Sequence, residues 1–105
     1  MKDTLDSRRC ARMFRAVGDP ERLRIIQCLR AGPKTVSDVA SELETPIVKA
    51  SHHLRILRRA GLLQDEKRGR FVSYRLHPDV FRPGHTPKVA GHIDFGCCRI
   101  EIPKK

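Results

Sequence analysis

A basic segment between residues 46 and 75 carries the side chains best suited to binding an anion. It holds eight Lys and Arg residues against two acidic ones. Polar side chains recur along its first part at steps of three and four residues, which would place them on the outer side of one helix: Lys49, His52, Arg55 and Arg59. Ammonium and guanidinium groups donate hydrogen bonds to phosphates and to base edges. The segment therefore predicts contact with a nucleic acid.

A second basic cluster follows immediately downstream. The stretch KRGR contains Lys67, Arg68 and Arg70 and separates LLQDE from FVSYRL, two segments that are typical of short strands. Gly69 can supply the positive φ that a tight turn needs. We therefore predict a β-hairpin whose basic tip contacts phosphates or the minor groove beside the helix.

The adjacent pair His52 and His53 invites a metal or a catalytic interpretation. Neighbouring side chains on a helix diverge by about 100°, so the two rings cannot chelate one ion together. The chain also lacks paired carboxylates in a plausible cleft, a Gly-rich phosphate loop and a nucleophile–base pattern. We therefore predict phosphate contact or packing for the two histidines, no catalytic residue, and a protein that is not an enzyme.

Three cysteines offer a second kind of chemistry. Cys97 and Cys98 are adjacent in the C-terminal segment HIDFGCCRIEIP, and Cys10 lies in the first helical segment. Thiolates suit As(III), Zn or another soft metal ion, but two neighbouring cysteines supply at most two ligands. Cys10, of the same chain or of a partner subunit, is a candidate third ligand, and His92 and Asp94 are others.

Two other interpretations of Cys97 and Cys98 stay open. Either thiol could be oxidised or persulfidated, and a bond to a third thiol is easier than a strained ring between adjacent cysteines. Both could also be small buried hydrophobic residues at a bend in a strand. Cys28 follows the core side of the second helix and is predicted to be inert, whereas His85 has no partner visible in the sequence.

Size and charge restrict the class of protein. The chain has 105 residues, a formal net charge of +10 and a pI of about 10.2. This excess favours nucleic acid or another acidic surface as the partner. The sequence has no apolar run of 18 residues and no apolar N-terminal stretch, so we expect no membrane partner, no secretion signal and a cytoplasmic protein. The cysteines are then expected as thiols or ligands rather than disulfides.

Four helical segments would position the basic residues. The first ends at Gly18, and Asp19 is the expected N-cap of the second. Thr35 predicts an approximate capping box for the third, and Thr45, followed by a proline, is the expected N-cap of the fourth, near residues 46 to 60. The first two helices would turn these apolar residues away from solvent: Leu5, Cys10, Met13, Phe14, Val17, Leu23, Ile26 and Leu29.

The C-terminal part is predicted to differ in organisation from the rest. Residues 82 to 91 contain two prolines and two glycines and are interpreted as a linker. The final segment has the alternation of a strand, with a bulge or bend at Gly96 and Cys97. We therefore predict a DNA-binding domain over residues 1–81 and a linker with a Cys-containing tail over residues 82–105.

The helix before residue 44, the short turn ETP and the following basic helix form a helix-turn-helix pattern. The stretches FRAVGDPERLRIIQCL, TVSDVASEL, SHHLRILRRAGLL and RGRFVSYRL, within residues 14 to 76, resemble the ArsR/SmtB family of bacterial winged-helix repressors. The resemblance implies a mainly α, winged helix-turn-helix fold with a small β-hairpin, here with a strand-like tail in place of the usual last helix. It also implies a homodimer that binds a palindromic operator and dissociates from it when an inducer binds.

By the same resemblance, Ile47, Lys49, Ser51, His52 and His53 lie near DNA on the recognition helix. Ile47 stands where relatives often carry Gln, and an apolar side chain there could contact a thymine methyl group. The third helix lacks the Cys-x-Cys pattern of many metal-sensing relatives, and no C-terminal helix with spaced Asp and His is visible.

We therefore predict a sequence-specific, DNA-binding transcriptional repressor. It would be released from DNA when a soft metal ion, a metalloid or a thiol oxidant acts at Cys97 and Cys98. The first helix and the tail strand are the predicted dimer surface. Two alternatives remain: a winged-helix module that binds proteins, and a small thiol-based metal-binding protein.

Overall fold

The computed structural model describes residues 7–86 and 89–103, which form four helices and six strands. The helices are α1 (Ser7–Val17), α2 (Pro20–Leu29), α3 (Val36–Leu43) and α4 (Ile47–Arg59). The strands are β1 (Lys34–Thr35), β2 (Leu63–Arg68), β3 (Phe71–Leu76), β4 (Phe81–Thr86), β5 (Val89–Asp94) and β6 (Arg99–Pro103). No helix among these residues is both long and apolar enough to cross a membrane.

Local capping explains where α2 and α3 begin. One carboxylate oxygen of Asp19 accepts hydrogen bonds from the backbone N–H groups of Glu21 and Arg22, at 3.0 and 3.1 Å. The Arg22 N–H bond is the main reason that the pKa of Asp19 lies below its usual value. Thr35 and Asp38 form the reciprocal bonds of a capping box. The predicted starts of both helices are therefore confirmed.

The predicted N-cap of α4 was one residue too early. Pro46 occupies the cap position, and its carbonyl accepts the first helical hydrogen bond from the Ala50 N–H at 3.0 Å. Thr45 still belongs to the closure of α3, because its N–H donates to the Ala40 carbonyl at 3.0 Å. Gly61, with φ of 85°, ends α4 in the left-handed conformation, as predicted.

The apolar sides of the helices meet the C-terminal strands in one core cluster. Met13 and Val17 of α1 are buried within the chain, so these two residues of the predicted dimer surface already have intramolecular partners. Leu23 was predicted to face inward, but 47% of its surface is exposed. Leu5 lies outside the described residues. The core consists of Cys10, Met13, Ala16, Val17, Ile25, Ile26, Leu29, Val39, Ala40, Leu43, Ala50, Leu54, Leu57, Leu62, Leu63, Val80, Ile93, Phe95 and Ile102.

The predicted hairpin is the main part of a three-stranded sheet in the order β1-β3-β2. β2 and β3 pair from Leu63 opposite Leu76 to Arg68 opposite Phe71, and Gly69 has φ of 59° in the turn. The two-residue strand β1 adds a third strand, which no local pattern in the sequence indicated. This sheet is the wing of the winged helix.

The predicted linker over residues 82 to 91 is wrong, because β4 and β5 form an antiparallel hairpin there. Proline is tolerated in β4 because this strand lies at the edge of the second sheet, whose order is β4-β5-β6. Gly91 is required by close packing, since a Cβ there would lie 2.5 Å from the Arg82 carbonyl oxygen and 2.8 Å from the Phe81 ring. The division of the chain at residue 81 stays a prediction, and the side chain of His85 lies outside the described part.

The predicted bend at Gly96 is confirmed, but it joins two strands rather than two halves of one strand. Gly96 has φ of 88°, and the Phe95 N–H donates to the Cys98 carbonyl at 2.9 Å across the reversal. β6 therefore returns along β5, with Ile100 opposite Ile93. Phe95 stacks on Phe14 of α1, with ring centroids 4.6 Å apart, and this contact attaches the second sheet to the helices.

Candidate nucleic-acid interface

α4 buries one side and presents a basic side to solvent. Its buried apolar residues are Ala50, Leu54 and Leu57, and α3 contributes Val39, Ala40 and Leu43 to the same cluster. Glu44, in the left-handed conformation at φ of 53°, reverses the chain between the two helices. The exposed residues of α4 are Ile47, Val48, Lys49, His52, Arg55, Arg58 and Arg59, and the helix contains no acidic residue. This arrangement matches the predicted helix-turn-helix.

An ion pair fixes the start of α4 to α2. The ammonium nitrogen of Lys49 lies 2.9 Å from Oε1 of Glu21. That hydrogen bond is the largest cause of the lowered pKa of Glu21 and of the raised pKa of Lys49, and a hydrogen bond from Thr45 lowers the pKa of Glu21 further. Lys49 therefore has a carboxylate partner from α2, which no spacing in the sequence indicated.

His53 lies in the interior rather than on the basic side. Only 6% of its surface is exposed, and its Nδ1 lies 3.2 Å from a guanidinium nitrogen of Arg22. Arg22 also donates hydrogen bonds to the carbonyls of Ala16 and Arg15 at the end of α1. Because a guanidinium only donates, Nδ1 of His53 accepts this bond. Of the two roles predicted for His53, packing is the one that its burial favours, whereas His52 is exposed and Ser51 is half-buried.

The wing presents the predicted cations and one apolar side chain. Lys67, Arg68 and Arg70 are all exposed. Arg68 pairs with Glu66 at 2.7 Å, and this contact lowers the pKa of Glu66. Phe71, beside the turn, is 67% exposed. Phe71 was predicted only as a strand residue, although an aromatic residue directly after a basic turn could have indicated an exposed contact residue.

The cysteines are arranged differently from the prediction. A disulfide joins Cys10 of α1 to Cys97 in the turn after β5, with a Cα–Cα distance of 6.4 Å. The expectation that all cysteines are thiols or ligands is therefore wrong for this pair, and both partners come from one chain. Cys98 is a free, exposed thiol.

The disulfide does not fit the predicted metal site. Disulfide sulfurs are not the thiolate ligands that a soft ion requires. Within residues 7–86 and 89–103, no group of three or more His, Cys, Asp or Glu side chains could hold a metal ion. Asp94 instead accepts a hydrogen bond from the Gly96 N–H at 2.9 Å. A metal site at Cys10, Cys97 and Cys98 would require that the disulfide is reduced, and for that reduced chain it stays a prediction.

Cys28 is a half-buried thiol held by a hydrogen bond within the chain. Its thiol donates a hydrogen bond to Glu42 at 2.7 Å, and Lys34 pairs with the same carboxylate at 3.0 Å. Burial, followed by the neighbouring Glu42, raises the pKa of Cys28 to about 12. The thiol therefore stays protonated near neutral pH, which agrees with the inert role predicted for it.

Known proteins share this fold and much of this sequence. A family model described as a helix-turn-helix domain matches residues 17–66. The transcriptional repressor SdpR of Bacillus subtilis is 34% identical over 70 residues, which are 67% of this chain and 78% of SdpR. The arsenical resistance operon repressor of Escherichia coli is 39% identical over 93 residues, covering 88% of this chain and 74% of the repressor.

A solved structure extends the similarity to the tertiary fold. It is the homodimeric winged helix-turn-helix DNA-binding domain of Mb0332 from Mycobacterium bovis, a possible ArsR-family transcriptional regulator. The TM-score is 0.66 at 25% identity, over 75% of this chain and 78% of that one. Fold, basic helix and relatives agree, and the chain belongs to the ArsR/SmtB family of winged helix-turn-helix transcriptional regulators, which are DNA-binding proteins rather than enzymes.

Proposed function

We propose that this chain is a homodimeric repressor that binds a palindromic operator, with α4 of each subunit in the major groove and the wing on the adjoining backbone. The observation that carries the proposal is the exposed basic side of α4, a helix without any acidic residue. The proposed contacts on α4 are Ile47, Lys49, Ser51, His52, Arg55 and Arg59, and those on the wing are Lys67, Arg68 and Arg70. His53 is omitted because it is buried.

Burial on one side and charge on the other support insertion of α4 into a groove. An α-helix fits the major groove, which is about 12 Å wide, and two such helices would read half-sites about 34 Å apart. Lys49 must exchange its contact with Glu21 for a phosphate or a base when DNA binds. The homodimeric state of the similar Mycobacterium bovis domain supports a dimer here.

The first turn of α4 points to recognition of thymine. Ile47 is 55% exposed and Val48 is 82% exposed, although both are β-branched apolar residues. Neither side chain can donate or accept a hydrogen bond, but each can pack on the 5-methyl group of thymine. We therefore propose that these two residues select thymine within each half-site.

Selection of bound sequences from random DNA would test the function and this specificity together. We expect two-fold symmetric sequences with a thymine at one or more matched positions in each half-site. Replacing such a thymine with deoxyuridine removes only the methyl group and should lower affinity by roughly 5-fold, because a lost apolar base contact costs about 1 kcal/mol. Fluorescence anisotropy with the two duplexes measures the ratio.

The Ile47→Ala and Val48→Ala variants supply the control for the methyl effect. The variant that lacks the contacting side chain should bind the thymine and deoxyuridine duplexes equally. Thymines outside the selected positions should tolerate the exchange. A selection that returns no preferred sequence would contradict the repressor function and would favour the alternative of a winged helix that binds proteins.

We further propose that a thiol oxidant controls DNA binding through Cys10 and Cys97. The pairing of these residues supports the proposal, together with the position of α1 beside α4, whose Ile56 and Ala60 line the cleft between the two helices. With hydrogen peroxide as the oxidant, the two thiols lose two electrons and two protons, the S–S bond forms, and peroxide is reduced to two water molecules. The bond would bias the position of α1, and through it that of α4.

Oxidation is expected to weaken operator binding about 5- to 150-fold, the usual range of coupling between two sites. Anisotropy titrations of the oxidised chain and of the chain reduced with a phosphine would measure this ratio. A Cys10→Ser, Cys97→Ser variant should bind equally under both conditions, and a Cys98→Ser variant should respond like wild type. An unchanged affinity of the wild-type chain on oxidation would rule out this effector.

A soft ion is the second candidate effector, because relatives include the arsenical resistance operon repressor and a homolog of the cadmium resistance regulatory protein CadC. Only the reduced chain offers Cys10, Cys97 and Cys98 as thiols. Adding As(III) or Zn to the reduced chain in the same titration separates the two effectors. Tight, thiol-dependent metal binding by a chain with no DNA preference would instead identify a small metal-binding protein.

A further inference from the structure

His53 carries a buried hydrogen-bond donor that has no acceptor among the described residues. Only 6% of the residue is exposed, and its Nδ1 accepts a hydrogen bond from Arg22 at 3.2 Å. An imidazole whose Nδ1 accepts is neutral and holds its proton on Nε2. Nε2 is buried and makes no hydrogen bond within residues 7–86 and 89–103. An unpaired buried N–H group lowers stability and is rare in folded proteins, which makes this donor a candidate for a functional role.

The Glu21 carboxylate is an acceptor close to this donor. Its Oε1 lies 3.7 Å from Nε2 of His53, beyond hydrogen-bonding distance, and 2.9 Å from the ammonium nitrogen of Lys49. One oxygen therefore faces two donors and bonds only one of them. The Lys49 side chain is 56% exposed, whereas His53 is buried. The donor that holds Glu21 in the free chain is thus the one that can turn outward to another partner.

The His53 ring is held in place at its other edge by Arg22. The guanidinium of Arg22 donates a hydrogen bond to Nδ1 of His53. It also donates to the backbone carbonyls of Ala16 and Arg15 at the end of α1. A planar guanidinium with three acceptors has little freedom to shift. A new bond between His53 and Glu21 therefore requires the carboxylate to move, and a movement of roughly 0.5–1 Å brings it within hydrogen-bonding range.

We propose that Glu21 exchanges partners when the operator binds: Lys49 leaves it for DNA, and the Nε2–H group of His53 donates to it instead. This inference rests on the proposed contact between Lys49 and DNA. The exchange rearranges hydrogen bonds and transfers no proton. Without it, the departure of Lys49 would leave Glu21 with its Thr45 contact and would leave Nε2 of His53 unpaired. His53 is therefore a positioning residue, which makes the release of Lys49 easier and does not itself touch DNA.

A double-mutant cycle on operator affinity tests the exchange. His53→Leu removes the donor, and we expect the Kd for a selected duplex to rise roughly 10-fold, because a hydrogen bond to a charged group contributes about that factor. The same replacement should change the Kd by less than about 2-fold in a Glu21→Ala or a Lys49→Ala background, where no exchange takes place. His53→Gln keeps a donor and an acceptor and should retain most of the affinity. Fluorescence anisotropy measures each Kd, and circular dichroism confirms that each variant is folded.

Nuclear magnetic resonance of the wild-type chain gives a readout that needs no folded variant at the buried position. The proton on Nε2 of His53 should move downfield when the selected duplex binds, because a hydrogen bond to a carboxylate deshields it. The signal is assigned by its absence from the His53→Gln spectrum. An unmoved signal, or an effect of His53→Leu that is equal in all three backgrounds, would overturn the exchange and leave the repressor function standing. A wild-type chain with no preferred DNA sequence would overturn both.

Discussion

Replacing Lys49, His52 and Arg55 together with Ala is expected to lower operator affinity by roughly 150- to 2,000-fold, since contacts of this kind contribute about 1–1.5 kcal/mol each. All three side chains are exposed on α4, so truncating them leaves its buried side intact and removes only the surface ion pair between Lys49 and Glu21, a kind of contact that contributes little to stability. The fold should therefore survive, and the loss should reflect contacts with DNA. Fluorescence anisotropy on a selected duplex measures the change.

Salt separates phosphate contacts from base contacts in this variant. Wild-type affinity should fall about 10³-fold or more between 50 and 200 mM salt if six or more phosphates are contacted. The slope of log K against log salt should be shallower in the variant by about one for each lost phosphate contact. Arg24→Ala with Arg82→Ala removes the same positive charge from exposed sites away from α4 and the wing. Equal losses in the two variants, or a wild-type affinity that ignores salt, would contradict the assigned interface.

Removing the disulfide with Cys97→Ser is expected to lower the free energy of unfolding by about 4 kcal/mol, because a cross-link that closes a loop of this size strongly restricts the unfolded chain. Cys10 and Cys97 are 87 residues apart, so the bond closes most of the chain into one loop. It also joins α1 to the turn between β5 and β6. Urea denaturation followed by circular dichroism measures the effect.

The matched control for this experiment is Cys98→Ser, which changes a neighbouring exposed thiol. That variant should unfold at the same urea concentration as wild type. Wild type under reducing conditions should unfold like the Cys97→Ser variant. If reduction leaves the urea midpoint unchanged, the bond does not form in solution, and control by an oxidant loses its basis.

Features that depend on a few neighbouring residues were predicted well. The caps at Asp19 and at Thr35 with Asp38, and the turns at Gly61, Gly69 and Gly96, all occur where the sequence indicated them. Each involves hydrogen bonds or backbone angles within a few residues, so the information is local. The one-residue error at Thr45 arose because that N–H closes the preceding helix instead.

Features that depend on distant partners were missed or mistaken. The linker interpretation failed because prolines and glycines indicate loops, whereas here Pro83 lies on an edge strand and Gly91 allows close contact with Phe81. His53 looked similar to His52 in the sequence, but Arg22 of α2 accommodates it in the interior. The partner of Lys49 is Glu21, 28 positions earlier in the sequence, and no local spacing could indicate that pair.

By itself, the amino-acid sequence determined the class of this protein: a basic chain with a helix-turn-helix and a wing, because helix periodicity, caps and charge are encoded in short segments. Only the tertiary structure decided which histidine is buried, which cysteine pairs with Cys10 and which carboxylate pairs with Lys49. These outcomes follow from packing between segments that are far apart in the chain. They cannot be predicted from the order of residues within any one segment.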